Sequence, residues 1–349
     1  MKLERHFDAL TSLRGLFSLI IVLFHTMPVD SGSFSSIPGV SFISQFGGRL
    51  GVSIFFILSG FFMSYSYRDR LMAHSISFGP FLAKKLRKLY PLYLITNLAA
   101  LFLNVIQYGM SGFNLERIAL TFLMKLGDGL VGEVPYNGPT WFVCTLFFCY
   151  VIFFCLTYYS KSMTQYCCSI VLGIICGHGM INAGLNIPFC TVDNGVGLMN
   201  FFVGCALAEI YPKIGEQTHK WLRPATFVTL LFFLYLLHGY GVIIICGDVY
   251  TAFALLISPF IIYLALANGL CSKILQWKPF VCLGRFSSSI FFWHWVVYLA
   301  FRYFFSRLFP NQNIQGTHFL IYFVIMMIWS VLFQIIFQKI QSRRHAVSA

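Results

Sequence analysis

Arg14 and His25 are the residues of this sequence whose types and spacing point most directly to chemistry: they lie eleven residues apart in one otherwise apolar stretch, Leu13 to His25. In a helix that separation makes about three turns and about 16 Å of rise, so the two side chains share a face. A neutral imidazole, with an unperturbed pKa of about 6.5, takes the proton of an attacking hydroxyl as a general base, or forms a transient acyl-histidine as a nucleophile. The planar donor fork of Arg14 suits a phosphate or an acyl carbonyl. The stretch reads as membrane-spanning, with the arginine expected near one membrane surface and the histidine well inside; an ionisable residue held there is costly, which makes function the first hypothesis. The plain alternative for His25 is a packing histidine bonded to a neighbouring backbone group. Asp30, just beyond, stands either to accept the other imidazole N–H or to form a helix-end turn. His294, in Phe291-Phe292-Trp293-His294-Trp295, is either a binding residue or an anchor in an interfacial aromatic belt.

The elements that must position these residues follow from composition. With 58% hydrophobic and 10% charged residues and a mean hydropathy of +0.77, the chain is far from the roughly 25% charged residues of a soluble domain. It reads as an all-α integral membrane protein, a polytopic bundle of about ten transmembrane helices forming a single domain over residues 1–349. Apolar runs lie at about 12–28, 50–67, 89–108, 139–159, 166–183, 196–211, 222–238, 248–267, 286–306 and 318–338. The stretch 222–267 is interrupted by Gly239, Gly241 and Gly247 and is a candidate for a re-entrant turn. The first run is followed by Met27-Pro28-Val29-Asp30 rather than a small-residue cleavage site, so a retained helix is expected in place of a signal peptide.

Charge orients the bundle. With both termini cytoplasmic, nineteen of the 24 Lys and Arg residues fall on the cytoplasmic side and five on the other. The formal net charge of +13 then reports topology and contact with anionic lipid, and nucleic acid is not needed to explain it. Most of the 11 cysteines lie inside spans and read as small packing residues. Cys190 and Cys246 fall near the outer face and are a candidate pair, and no metal-binding spacing occurs.

Further patterns follow Arg14 and His25: Gly51-Val-Ser-Ile-Phe-Phe-Ile-Leu-Ser-Gly-Phe61, then Arg68-Asp69-Arg70, then a basic run from Lys84 to Lys88 ending in Tyr90-Pro-Leu-Tyr93. Later come Gly138-Pro-Thr-Trp141-Phe142, Phe202-Val-Gly204-Cys-Ala-Leu-Ala, and Leu283-Gly284-Arg-Phe-Ser-Ser-Ser-Ile290 before His294. In order and spacing these resemble the acyltransferase-three family of integral-membrane O-acyltransferases, which decorate surface polysaccharides, cell-wall glycans and lipid-linked saccharides. The glutamate that many members carry a few residues after Trp141 is missing here, and the appended hydrolase-like domain of some members has no counterpart before Ala349.

The resemblance implies an acyltransferase of a bacterial cytoplasmic membrane. Acyl-CoA, acetyl-CoA first, would serve as co-substrate with no tightly bound cofactor, and partner envelope-biosynthesis proteins are possible. His25 and Arg14 would be catalytic, and Arg68 and Arg70 would contact the donor's phosphates, where charge-assisted bidentate bonds give that role a physical basis. Lys84, Lys85, Arg87 and Lys88 read as topology signals alone. Asp30, Trp141 and His294 are candidate substrate contacts. On the acceptor side, residues 115–124 are expected to lie as an interfacial helix, and Asp128, Glu133, Tyr136 and Asn137 are of the types that contact saccharides. A transporter of an acyl group or lipid-linked saccharide fits the same helix count.

Overall fold

An apolar segment crossing a bilayer must satisfy its backbone N–H and C=O groups within itself, and these sequence runs do so as helices. The computed structural model describes residues 4–27, 40–124, 135–184, 186–238, 248–310 and 312–347. Its helices are α1 (Glu4–Thr26), α2 (Val40–Met72), α3 (Phe78–Tyr108), α4 (Leu115–Phe122), α5 (Trp141–Tyr158), α6 (Met163–Ala183), α7 (Val192–Ile210) and α8 (Glu216–His238). There follow α9 (Val249–Leu266), which contains a π turn at Phe253–Ile257, α10 (Leu270–Leu275), α11 (Lys278–Leu308) and α12 (Gly316–Val347). Two-residue strands, Asn186–Ile187 and Cys190–Thr191, pair ahead of α7.

Among the described residues nine helices are long and apolar enough to cross a membrane. The expected run 222–238 lies in α8, which is not among the nine; it starts beside the end of α9, where His219 Nδ1 is 2.9 Å from Tyr263 Oη. The three glycines expected to interrupt this region, and Cys246, fall outside the described residues. Several helices are longer than the apolar runs suggest. The basic segments 68–70, 84–88 and 278–285 continue α2, α3 and α11 as helix, since Lys and Arg are good helix formers that carry their charge past the apolar zone.

The connections rich in Lys and Arg gather at one end of the bundle. The His74 ring lies 4.2 Å from Tyr158, Tyr211 Oη donates to Leu266 O at 2.7 Å, Gln334 Nε2 donates to Arg285 O at 2.7 Å, and Ser12 Oγ donates to Leu275 O. The outer connection differs from expectation. Tyr90 Oη and Tyr93 Oη donate to the carbonyls of Phe122 and Thr121 at 3.0 and 2.9 Å, and Tyr93 lies about 22 Å along α3 from its end at Tyr108. Residues 115–122 thus fold back alongside α3 instead of resting across its tip. The last carbonyls of α4 need donors and hydroxyls in an apolar span need acceptors, and the fold-back satisfies both.

α2 and α7 form the most buried pair. They touch through glycine: a methyl at Gly204 would overlap the carbonyl of Ile57, and one at Gly60 that of Phe201. Without a hydrophobic force between helices in lipid, such backbone contact is what packing rests on. Gly204→Val is therefore expected to lower stability by about 1–3 kcal/mol or more, read as a fall in melting temperature of the detergent-solubilised protein. Gly15 and Gly284 do the same for α1 and α11: a Cβ on Gly15 would lie 2.6 Å from Gly284 N.

Candidate active site

The α1–α11 contact places the two histidines. Gly15 meets Gly284, and ten residues further along each helix His25 meets His294. Equal spacing along two helices that run in the same direction carries one contact into the other. His294 is fully buried, so it is no interfacial anchor. Its Nδ1 lies 2.6 Å from Phe291 O; a carbonyl only accepts, so that nitrogen carries the proton and the neutral ring keeps its lone pair on Nε2. His294 Nε2 is 3.3 Å from His25 Nδ1, which also faces Ile21 O at 3.0 Å. With two acceptors before it, His25 Nδ1 is the protonated nitrogen, and His25 Nε2 is left with the lone pair of a base. The Trp295 and Phe24 rings flank His25 at 5.8 and 5.0 Å, and Tyr322 Oη holds the backbone carbonyl of His294 at 3.1 Å.

In α1 His25 is one residue from the helix end at Thr26, and Arg14 lies eleven residues before it. Arg14 points into a feature of its own, a cavity of about 370 Å³ between α1, α2, α3, α5 and α11. Arg14 donates to Ser288 Oγ there at 3.2 Å. Lys85 and Lys88 line the same cavity, with Tyr67, Tyr150 and four serine hydroxyls, and among the described residues no carboxylate does. The Lys85 ammonium lies 3.9 Å from the Tyr67 ring centre, a cation–π contact that covers the charge without neutralising it.

Arg68 and Arg70 are not brought to this cavity. Arg68 is ion-paired with Asp69, Nε to Oδ1 at 2.8 Å, and with Glu209 of α7. Glu209 is buried and also accepts from Ser64 Oγ at 2.8 Å, which in turn accepts from Tyr166 Oη at 2.8 Å. Arg70 stands 5.9 Å from the Tyr67 ring. Arg68→Ala is thus expected to strand Glu209 and lower stability by about 1–3 kcal/mol, with Arg68→Ala/Glu209→Gln recovering most of the melting temperature. A loss of acyl-CoA affinity in the recovered double variant would return Arg68 to the donor site.

Trp141 lies 6.3 Å from the Phe56 ring, which backs Phe142 at 4.4 Å, and it touches neither histidine. Asn137 is buried and knits three segments: its N–H donates to Asn97 Oδ1 at 2.9 Å and its Nδ2 to Phe292 O at 2.8 Å. Tyr136 is likewise structural, covered by the Arg117 guanidinium at 4.2 Å. Asp30, Asp128 and Glu133 lie outside the described residues.

The family model described as an acyltransferase domain matches residues 7–336, a range that holds both histidines and every wall of the cavity. The chain belongs to the acyltransferase-3 family. No curated protein and no solved structure matches it. The acyltransferase is a multi-pass membrane enzyme, and two of its features were invisible from residue types. Lys85 and Lys88 look like ordinary positive-inside residues until α3 packs against α11. The His25–His294 pair had a faint signal in the matched spacings Gly15 to His25 and Gly284 to His294.

Proposed function

We propose that this acyltransferase takes its acyl group from cytoplasmic acyl-CoA, acetyl-CoA first, and passes it to a hydroxyl of a saccharide at the opposite face of a bacterial cytoplasmic membrane. The observation that carries this reading is one helix, α1, presenting Arg14 to a cationic cavity and His25 to a hydrogen-bonded histidine. Three cations without a carboxylate attract a polyanion, and the apolar inner walls suit the uncharged arm of the coenzyme. Arg14, Lys85 and Lys88 take over the phosphate contacts expected of Arg68 and Arg70.

In the reaction His25 Nε2 removes the proton of the acceptor hydroxyl as its oxygen forms a bond to the acyl carbon. The carbon–sulfur bond breaks, and the coenzyme leaves as a thiolate that takes a proton from water. His294 holds the His25 ring in the tautomer that leaves Nε2 basic, the positioning that a hydrogen-bonded partner gives an imidazole. A saccharide acceptor and neighbouring envelope-biosynthesis proteins complete the reading.

The test uses the purified protein in sealed vesicles with radiolabelled acetyl-CoA on one side and membrane or glycan acceptors on the other. Label covalently attached to glycan, with a mass increase of one acetyl group, is the expected result. Acetyl-CoA consumed without acylated glycan, or label moved across the membrane without a new ester, would replace this reading with hydrolysis or with transport.

A further inference from the structure

The cavity stops short of the histidines. Neither His25 nor His294 is among its walls, and its inner end is closed by three rings, Phe55 of α2, Phe142 of α5 and Phe291 of α11. These rings are mutually packed, with centroids 5.9 Å apart for Phe55 and Phe142, 5.9 Å for Phe55 and Phe291, and 5.6 Å for Phe142 and Phe291. All three are buried. On the far side the Phe291 ring lies 6.0 Å from the His294 ring. The barrier between the cavity and the histidine pair is therefore one aromatic ring thick along α11.

We infer that Phe55, Phe142 and Phe291 form an acyl-length selector, which decides how large an acyl group passes from the cavity to His25. This rests on the acyl-CoA reading above. A thioester whose arm lies along the cavity brings its acyl group against the three rings. A short acyl group needs one ring, Phe291, to change rotamer. A longer chain must also displace Phe55 and Phe142, and Phe142 is held from behind by Phe56 at 4.4 Å. Backbone geometry permits the first motion without loss of the base, since His294 is held by the carbonyl of Phe291 and not by its side chain. The edge-on contacts of Phe142 with Phe55 and Phe291, and the tilted contact between Phe55 and Phe291, give the closed state favourable interactions that a growing chain must break. Each methylene in such a pocket typically changes discrimination by about 10-fold or more.

The test compares acetyl-, butyryl- and hexanoyl-CoA in binding titrations and in transfer, for the wild type, Phe55→Ala, Phe55→Leu and Phe142→Leu, with a melting temperature for each. The wild type is expected to favour acetyl over hexanoyl by at least about tenfold in kcat/KM, and the smaller side chains to reduce that ratio by about tenfold. Should Phe55→Ala fail to fold, the two leucine variants, which keep most of the volume, carry the measurement. Folded variants whose chain-length profile matches the wild type, or a wild type indifferent to chain length, would overturn the selector while leaving the acyl-CoA reading intact. A wild type that binds no acyl-CoA overturns that reading, and the selector with it.

Discussion

His25→Ala loses transfer to the acceptor by about 10² to 10⁴-fold at equal protein level while acyl-CoA affinity is retained. The size is that of a positioned acid–base group. No other side chain of α1 at this end supplies such a lone pair, since Thr26 Oγ donates to Val22 O at 2.7 Å, and the lone pair of His294 Nε2 faces His25 Nδ1 at 3.3 Å, a ring's width behind the Nε2 that meets the acceptor. Affinity is retained because the cavity lies about 16 Å toward the other end of the helix at Arg14. Initial rates with acetyl-CoA and a titration of coenzyme A on the same preparation check both halves. Residual transfer above one tenth of wild type removes His25 as the essential base or nucleophile.

Arg14→Leu separates binding from stability, and the two readouts move in opposite directions. A guanidinium within an apolar helix, with one serine as its hydrogen-bond partner among the described residues, costs more to bury than the contact returns, so the variant is expected to melt at or above the wild-type temperature. Acyl-CoA affinity should nevertheless fall by about 10- to 100-fold, the equivalent of one lost charge-assisted bond of about 1.5–3 kcal/mol. Arg14→Lys should restore only part of this, since an ammonium supplies charge without the planar fork. A melting temperature that falls along with the affinity would make Arg14 a structural residue.

The helices and the gathering of basic connections at one end were legible in the sequence because both follow from transfer energies summed over about twenty residues at a time. The shared direction of Arg14 and His25 was legible from helical period alone. Lys85 and Lys88 carry the same local signal as Lys84 and Arg87, and what singles them out is their place on the wall shared with Arg14 and Ser288. Arg68 has the opposite history: its pattern suggests a ligand, and a buried carboxylate on α7, distant in sequence, already occupies it. The fold-back of α4 depends on two tyrosine hydroxyls within α3 finding carbonyls, a pairing with no periodic trace.

The distance between the cationic cavity and His25 has an energetic consequence for the proposed reaction. The thiolate departs at one end of the bundle, and the proton taken from the acceptor is released at the other. Unless that proton follows the acyl passage back, every turnover moves one elementary charge outward across the membrane. An inside-negative potential of 100 mV then opposes the reaction by about 2.3 kcal/mol, enough to couple glycan acylation to the energised state of the cell, and its rate in sealed vesicles to an imposed diffusion potential.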